Sequence, residues 1–440
     1  MENIDTVTEV ESSTPEVEDI PLLSTPRNDG RGLPPLIETA AAFTEMLTAL
    51  AGGEGAIAID AERASGYKYS QRAYLIQIYR RGGGLHLIDP IAVAEAELWS
   101  ELSKKFSDCE WIIHASTQDL PCLRELSFTA NTLFDTELGA RIAGCERVGL
   151  GPLAESLLGI RLAKEHSAVD WSSRPLPEPW LNYAALDVDV LVDLRDEVAL
   201  LLEKSGKLAW AEEEFTAILN ASKPEPRIDP WRRTSGIHKI KDRRTLAIIK
   251  AMWHARDDYG RAIDRAPGRI FNDETLVEIG LRRPATIDAF KKLVTRRRPD
   301  AKYPIAEWFA LFREVMEFSD EALPPVRLPS TALPPTKMWA DRNPLGYARF
   351  THARRELLAL SLEIKVPVEN LISPEFVRNL LWTSPPSDSA LWPEYVREQL
   401  RAQGARSWQI GLVAGPLESI LGETLPYAAP EPENAVEPEE

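Results

Sequence analysis

Ala56-Ile57-Ala58-Ile59-Asp60-Ala61-Glu62-Arg63 is the stretch that decides the fold of the first half of this 440-residue chain. The apolar run from Ala56 to Ile59 predicts a short buried strand, and Asp60 and Glu62 stand at its end. Side chains two residues apart on a strand point to the same face of a sheet. We therefore predict that two carboxylates lie side by side at one edge of a buried sheet.

Two later segments carry polar residues in a similar setting. Asp119 comes shortly after a second apolar run, Trp111 to Ile113, near the start of a predicted helix. Tyr183 and Asp187 are four residues apart in a helical pattern, so they share one helix face. If the segments converge, their carboxylates repel one another unless cations lie between them, and hard divalent ions suit such ligands. Two ions about 4 Å apart clamp the attacking and leaving oxygens of a phosphodiester, so the pattern predicts a nuclease.

Each of these residues also has a purely structural interpretation. Asp-x-Glu pairs occur at many solvated strand ends, Asp119 could be a helix cap, and Tyr183 could be a core tyrosine whose hydroxyl finds a partner. The order and spacing of the whole set favour a functional interpretation. We assign Asp135, which precedes a predicted helix, to capping and not to metal, and His114 to support of the second segment.

The three segments resemble the motifs of the DEDD superfamily of exonucleases, in the subclass with tyrosine in the third motif. The flanking sequence resembles the ribonuclease D family in four stretches: Tyr74-Leu75-Ile76-Gln77, Leu87-Ile88-Asp89-Pro90, Phe134 to Leu138 and Asp170 to Leu176. One departure is Trp180, where the family usually has glutamine. Asn182 stands where the histidine subclass would carry its general base, which favours the tyrosine version.

The resemblance implies a fold, an activity and a role for each residue. The fold is an α/β ribonuclease H-like exonuclease domain, with a mixed sheet flanked by helices. Asp60, Glu62, Asp119 and Asp187 would hold two divalent ions, Mg²⁺ or Mn²⁺, and Tyr183 would position or help deprotonate the attacking water. The expected reaction releases 5′-mononucleotides from RNA 3′ ends, in tRNA 3′ processing or RNA turnover. Two alternatives stay open: a DNA-repair 3′–5′ exonuclease, and a catalytically silent RNA-binding or assembly protein.

The sequence of the second half of the chain predicts two small all-α domains, because a helical pattern recurs at an offset of about 100 residues. Ile270 to Leu276 aligns with Leu371 to Val377, and each stretch follows an amphipathic helix and a proline. Both domains resemble HRDC domains, the second being the more divergent. The predicted divisions are an acidic disordered tail (1–33), the exonuclease domain (34–218), a linker (219–228), a basic HRDC-like domain (229–320), a Pro-rich linker (321–339), a second HRDC-like domain (340–425) and an acidic disordered tail (426–440).

The distribution of charge favours RNA as the partner, although the net charge of the chain is −17. Residues 227–302 carry twenty Lys or Arg against ten Asp or Glu, an excess of ten positive charges. The candidate phosphate-binding residues in this stretch are Arg232, Arg233, Lys239, Lys241, Arg243, Arg244 and Arg296 to Arg298. A solvated charged face is the alternative for any one of these clusters.

Sequence features favour a cytoplasmic protein, and we expect a monomer because no heptad run or large apolar face demands association. Hydrophobic residues make up 44% and charged residues 27%, as in ordinary globular proteins, and we expect no membrane partner because no window approaches the roughly 18 apolar residues of a membrane helix. The first residues lack the basic and apolar regions of a signal peptide. Three cysteines without metal-like or redox spacing predict reduced thiols.

Overall fold

The centre of the structure is a six-stranded sheet that lies in the first half of the chain. The computed structural model describes residues 20–163, 169–223, 225–328 and 332–422. We call the described residues from 20 to 220 the sheet domain. Its strands are β1 (Leu22–Leu23), β2 (Leu36–Ile37), β3 (Glu54–Arg63), β4 (Ala73–Arg81), β5 (Gly84–Ile88), β6 (Glu110–Ile113), β7 (Thr132–Asp135) and β8 (Arg161–Leu162). Its helices are α1 (Ala40–Ala51), α2 (Ala96–Lys105), α3 (Leu120–Glu125), α4 (Thr136–Ala143), α5 (Leu150–Leu153), α6 (Glu178–Asp189), α7 (Leu191–Lys204) and α8 (Leu208–Asn220).

The strand order of the large sheet is β2-β5-β4-β3-β6-β7. Strand β4 pairs antiparallel with both β3 and β5, whereas β2 with β5, β3 with β6, and β6 with β7 are parallel pairs. The expected mixed sheet flanked by helices is confirmed. Because β3, β6 and β7 run the same way, the residues that follow their carboxyl ends meet at one edge of the sheet.

Sequence patterns set these elements locally. The run from Ile57 to Ile59 is buried in β3, and the polar residues after it are partly exposed where the strand leaves the core. Helix α6 packs against β3, β4 and β5, which places its residues over the end of β3. The helical pattern that carries Tyr183 and Asp187 forms α6, which meets the next helix, α7, at Val190.

The segment just before the large sheet is ordered, so the prediction of disorder is wrong for residues 20–33. Strand β1 pairs with β8, and the backbone N–H groups of Arg27 and Asn28 donate to the Asp189 carboxylate at 3.1 and 2.8 Å. The Arg27 side chain adds a 2.9 Å ion pair to the same carboxylate. A buried carboxylate such as that of Asp189 is stabilised by hydrogen-bond donors, and these bonds fix the segment to the sheet domain. The rest of the predicted disordered tails, residues 1–19 and 426–440, lies outside the described residues.

The second half forms two helical domains with separate cores. The first helical domain consists of α9 (Arg243–Ala262), α10 (Pro267–Ile270), α11 (Asp273–Arg282), α12 (Ile287–Val294) and α13 (Ile305–Met316), preceded by short 3₁₀ turns. The second helical domain consists of α14 (Trp339–Arg342), α15 (Pro344–Ile364), α16 (Val368–Leu371), α17 (Pro374–Trp382), α18 (Trp392–Ala402) and α19 (Ser407–Gly422). Because α8 continues to Asn220, the predicted domain boundary at residue 218 falls inside a helix.

Both helical domains dock on the sheet domain. In the first, Asp264 accepts from the backbone of Ser70 at 2.9 Å and pairs with Arg72 at 3.3 Å. In the second, Trp408 stacks on Trp210 of α8 with ring centroids 5.1 Å apart. Across the described ranges, no helix is long and apolar enough to span a membrane.

Candidate active site

Three carboxylates converge at the carboxyl end of β3. Asp60, Glu62 and Asp187 each offer an oxygen atom, and these atoms lie within 4.8 Å of one another. The strand alternation aligns the first two, and the packing of α6 against β3 supplies the third. All three side chains are partly exposed, so the cluster opens to solvent. This donor set of hard oxygen atoms, crowded and of like charge, fits a divalent cation.

Tyr183 lies one helical turn before Asp187 and hydrogen-bonds to its carboxylate. Burial and the neighbouring negative charges of Asp187, Glu62 and Asp60 raise the pKa of the Tyr183 hydroxyl. The phenol therefore stays protonated at neutral pH and acts as a hydrogen-bond donor in this state.

Asp119 lies beside the cluster, although its carboxylate is not among the three grouped oxygens. It directly precedes α3 and makes no side-chain capping bond there. Its nearest cation is Arg63, whose Nε is 3.8 Å from Oδ1 of Asp119. The structure thus brings all five predicted site residues to one region, with Asp119 facing an arginine.

Crowding and burial shift the protonation of all four carboxyls. Burial raises the pKa of Asp60 to about 6 and that of Asp119 to about 8. Burial also raises the pKa of Glu62 and Asp187. The negative charge of Asp60 adds to the effect at each of the other three. The four acids resist simultaneous ionisation, and a bound cation would relieve the repulsion between their carboxylates.

Asp135, at the end of β7, holds the second segment in place. It caps α4, accepting from the backbone N–H groups of Glu137 and Leu138, as expected. It also accepts from the backbone of Ala115 and from both the N–H and the hydroxyl of Ser116. One carboxylate therefore fixes both the start of α4 and the turn that leads to Asp119. The expected support role of His114 has a matching contact, because its Nδ1 is 2.9 Å from the Thr136 hydroxyl, and burial lowers the pKa of its imidazole.

Two residues near the cluster were not singled out from sequence. Arg63 follows Glu62 directly, and its Nε is buried with no hydrogen-bond partner among the described residues. Gln77 is fully buried on β4 opposite Asp60, and its amide is likewise unpartnered in the described ranges. The strand pairing that places Gln77 beside Asp60 is not visible in the sequence, whereas Arg63 could have been noticed as a cation adjoining an acidic motif.

Several of the arginines predicted to bind phosphate are instead used inside the first helical domain. Arg243 and Arg244 donate to backbone carbonyls between residues 315 and 324, and Arg232 donates to those of Pro325 and Val326. These bonds tie α9 and the preceding turn to the end of the domain. Arg233, Lys239 and Lys241 remain exposed.

Family comparisons agree with this layout. Residues 34–203 match the family described as 3′-5′ exonuclease, and residues 245–309 match the HRDC domain. Residues 332–421 match a different family, described as 3′ to 5′ exonuclease C-terminal domain. Only the first helical domain therefore carries an HRDC match among these three.

The curated relatives include several proteins named ribonuclease D. That of Acidiphilium cryptum is 30% identical over 268 residues, which cover 59% of this chain and 66% of the relative. That of a Shewanella species is 26% identical over 330 residues, covering 74% and 80%. The matches to the first three relatives span between 45% and 66% of those proteins' own lengths.

Solved structures resemble the whole architecture. A protein from Bifidobacterium adolescentis matches with a TM-score of 0.82 and 35% identity, covering 91% of this chain and 99% of that one. Escherichia coli RNase D, an exoribonuclease involved in structured RNA processing, shares the fold with a TM-score of 0.60 at 23% identity, covering 88% and 98%. Taken with the carboxylate cluster at the end of β3, these matches show that the chain belongs to the ribonuclease D family, in which a DEDD-type 3′–5′ exonuclease domain is followed by an HRDC domain.

Proposed function

We propose that this chain is a metal-dependent exoribonuclease that shortens RNA from its 3′ end and releases 5′-mononucleotides. The observation that carries the proposal is the cluster of Asp60, Glu62 and Asp187, with the Tyr183 hydroxyl bonded to Asp187. A site of this kind suits phosphodiester hydrolysis, and relatives named ribonuclease D support RNA as the substrate. The proposed physiological substrates are tRNA precursors or other structured RNAs with single-stranded 3′ ends.

The proposed ligands are Asp60, Glu62, Asp119 and Asp187, holding two ions of Mg²⁺ or Mn²⁺. When bound, such ions lower the pKa of a water molecule and stabilise the charge that develops on the phosphate. The chain itself supplies the negative charge that keeps the ions in place. Burial raises the pKa of Asp60 to about 6 and that of Asp119 to about 8, so Asp60 is ionised over a wider pH range than Asp119.

Tyr183 is proposed to position the attacking water. Because its pKa is raised, the phenol does not act as a base at neutral pH. Its hydroxyl is anchored by Asp187, so a water molecule bonded to the oxygen of Tyr183 would be held beside the carboxylates. The proposal therefore assigns orientation, and not proton removal, to this residue.

We propose a monomeric protein of the cytoplasm. The three cysteines are free in the structure, and reduced thiols are typical of that compartment.

A gel assay tests the activity. Labelled single-stranded RNA and a DNA of matched sequence are incubated with Mg²⁺, with Mn²⁺ or with EDTA. We expect a ladder of products shortened from the 3′ end, on RNA and only with a divalent ion. Fragments cut internally would contradict exonuclease action, a ladder on DNA alone would favour a DNA-repair enzyme, and no cleavage at all would favour a binding protein.

A thermal-unfolding experiment tests the metal site without measuring activity. Acids whose pKa is raised by folding stabilise the protein at low pH, and this contribution is lost as pH rises through the raised pKa values, here about 6 for Asp60 and about 8 for Asp119. Bound cations restore it, so we expect Mn²⁺ to raise the melting temperature more at pH 8 than at pH 5. Saturation at a hundred times Kd corresponds to about 2.7 kcal/mol.

The controls for this experiment use two variants. Asp187→Asn should lose the Mn²⁺-dependent shift, whereas Glu197→Gln, which changes an exposed acid on α7, should keep it. An equal shift at both pH values, or a full shift in Asp187→Asn, would mean that the ion binds elsewhere.

A further inference from the structure

A cavity of about 420 Å³ lies between the sheet domain and the first helical domain. Its walls carry four cations: Lys68 from the sheet domain, and Arg265, Arg269 and Arg298 from the helical domain. We call this cavity the basic cleft. Its size is in the range of cavities that hold a small ligand, about 300–1,000 Å³.

The two walls of the basic cleft are fixed to each other. The backbone N–H of Ala266 donates to the Tyr67 carbonyl at 3.0 Å, and Nε of Arg269 donates to the Gly66 carbonyl at 3.0 Å. The guanidinium of Arg269 also lies 4.0 Å from the centre of the Tyr67 ring. The cleft is therefore a formed site whose shape depends on both domains.

The acids of the basic cleft are already engaged. Asp264 accepts from Ser70 and Arg72, and Asp170 accepts from the hydroxyl of Ser172 at 2.6 Å. None of the ion pairs within the described ranges involves Arg265 or Arg298, and Asp264 also attracts Lys68. Four cations therefore face two acids, Asp170 and Asp264, and this excess of positive charge in a concave site favours an anion.

The position of the basic cleft relative to the carboxylates suggests which anion. Lys68 is six residues beyond Glu62, in the connection that leaves β3, so it lies within about 20 Å of that ligand. An RNA strand with its 3′ end at the carboxylates has upstream phosphates within this reach. We propose that the basic cleft binds backbone phosphates of single-stranded RNA upstream of the cleaved end. This inference rests on the proposed function and adds a second contact for the same substrate.

The consequence is a dependence on substrate length. A dinucleotide has a single internucleotide phosphate, which must lie at the carboxylates, whereas a longer strand has further phosphates for the basic cleft and gains affinity from charge-assisted bonds to arginine. The first helical domain thereby favours long substrates without reading their sequence, because phosphates carry no sequence information.

The test compares two double variants of the full chain. Arg265→Ala/Arg298→Ala removes two cations from the cleft, and Lys291→Ala/Lys292→Ala removes two exposed cations from α12 of the same domain. For an RNA of about ten nucleotides, we expect the cleft variant to raise KM about tenfold with kcat unchanged. Cleavage of a dinucleotide should be unaffected in both variants. Arg265→Lys/Arg298→Lys should recover part of the affinity, which a folding defect would not allow.

Equilibrium binding separates failure of this inference from failure of the proposed function. Anisotropy of a labelled RNA in EDTA measures affinity without cleavage, and the slope of log affinity against log salt should be shallower by about 0.7 for each phosphate that the variant no longer binds. If the parent does not cleave RNA but the salt slopes of the parent and the cleft variant differ as stated, RNA binding by the basic cleft is supported and the proposed reaction is contradicted. If the cleft variant has the parent's affinity and slope, or if the α12 variant is weakened as much, the basic cleft does not bind RNA.

Discussion

Replacing Asp60 or Asp187 with asparagine is expected to lower RNA cleavage by at least about 10³-fold, because the ions contribute several kcal/mol to the transition state and each 1.36 kcal/mol is a factor of ten. An amide keeps the shape of the side chain but removes the negative charge that the ions need. RNA binding in EDTA should not weaken, since the lost charges repel phosphate when no cation is bound. The measurement is single-turnover cleavage of an RNA oligomer at saturating Mg²⁺ or Mn²⁺.

The same substitutions should make the metal-free protein more stable. The pKa values of these acids are raised by burial, and Asp60 raises the pKa of Asp187 further, so a neutral amide relieves a cost of folding above about pH 6. Loss of activity together with a higher melting temperature in EDTA would show that the variant lacks a metal ligand and that its fold is intact. If either variant cleaves RNA nearly as fast as the parent, the substituted residue is not a metal ligand. Glu197→Gln, with an exposed acid changed in the same way, is the matched control and should remain active.

Replacing Tyr183 with phenylalanine is expected to lower kcat about 10²-fold, the lower end of the range for groups that assist proton transfer, because the residue orients water without removing its proton. The change removes the hydroxyl that donates to Asp187 and leaves the ring in place. That donor lowers the pKa of Asp187, so its removal also weakens ion binding, and rates must be compared at saturating Mn²⁺.

The pattern of effects distinguishes orientation of water from simple packing. We expect KM for RNA to stay close to that of the parent, while kcat at saturating Mn²⁺ falls. Tyr347→Phe, in the second helical domain, is the control for removal of a hydroxyl far from the cluster. Unchanged kcat in Tyr183→Phe would make Tyr183 a packing residue.

Local sequence patterns predict most of the fold. The apolar run ahead of Asp60 predicts its strand, the four-residue spacing predicts that Tyr183 and Asp187 share a face, and the order of strands and helices predicts a mixed α/β sheet. These inferences need only neighbours in sequence, and the sheet is confirmed. The family resemblance supplied what local pattern does not, namely that segments more than fifty residues apart meet at one edge.

The errors arise where a partner lies far along the chain. Arg243 and Arg244 look like free cations in a basic stretch, but their acceptors are carbonyls more than seventy residues later. The composition of residues 20–33 predicts disorder because composition does not show which other segments of the chain they pack against.

The contact between Arg27, Asn28 and Asp189 has a practical meaning for protein engineering. The family match starts at residue 34, which would be a natural starting point for a shortened enzyme. Such a protein would keep every proposed ligand but would leave the buried Asp189 carboxylate without its donors, at a cost of roughly 1–3 kcal/mol. Asp189 ends the helix that carries Tyr183 and Asp187, so the loss of these donors would also disturb the proposed site. The folded domain therefore starts earlier than the family match, and a shortened enzyme should begin upstream of Arg27.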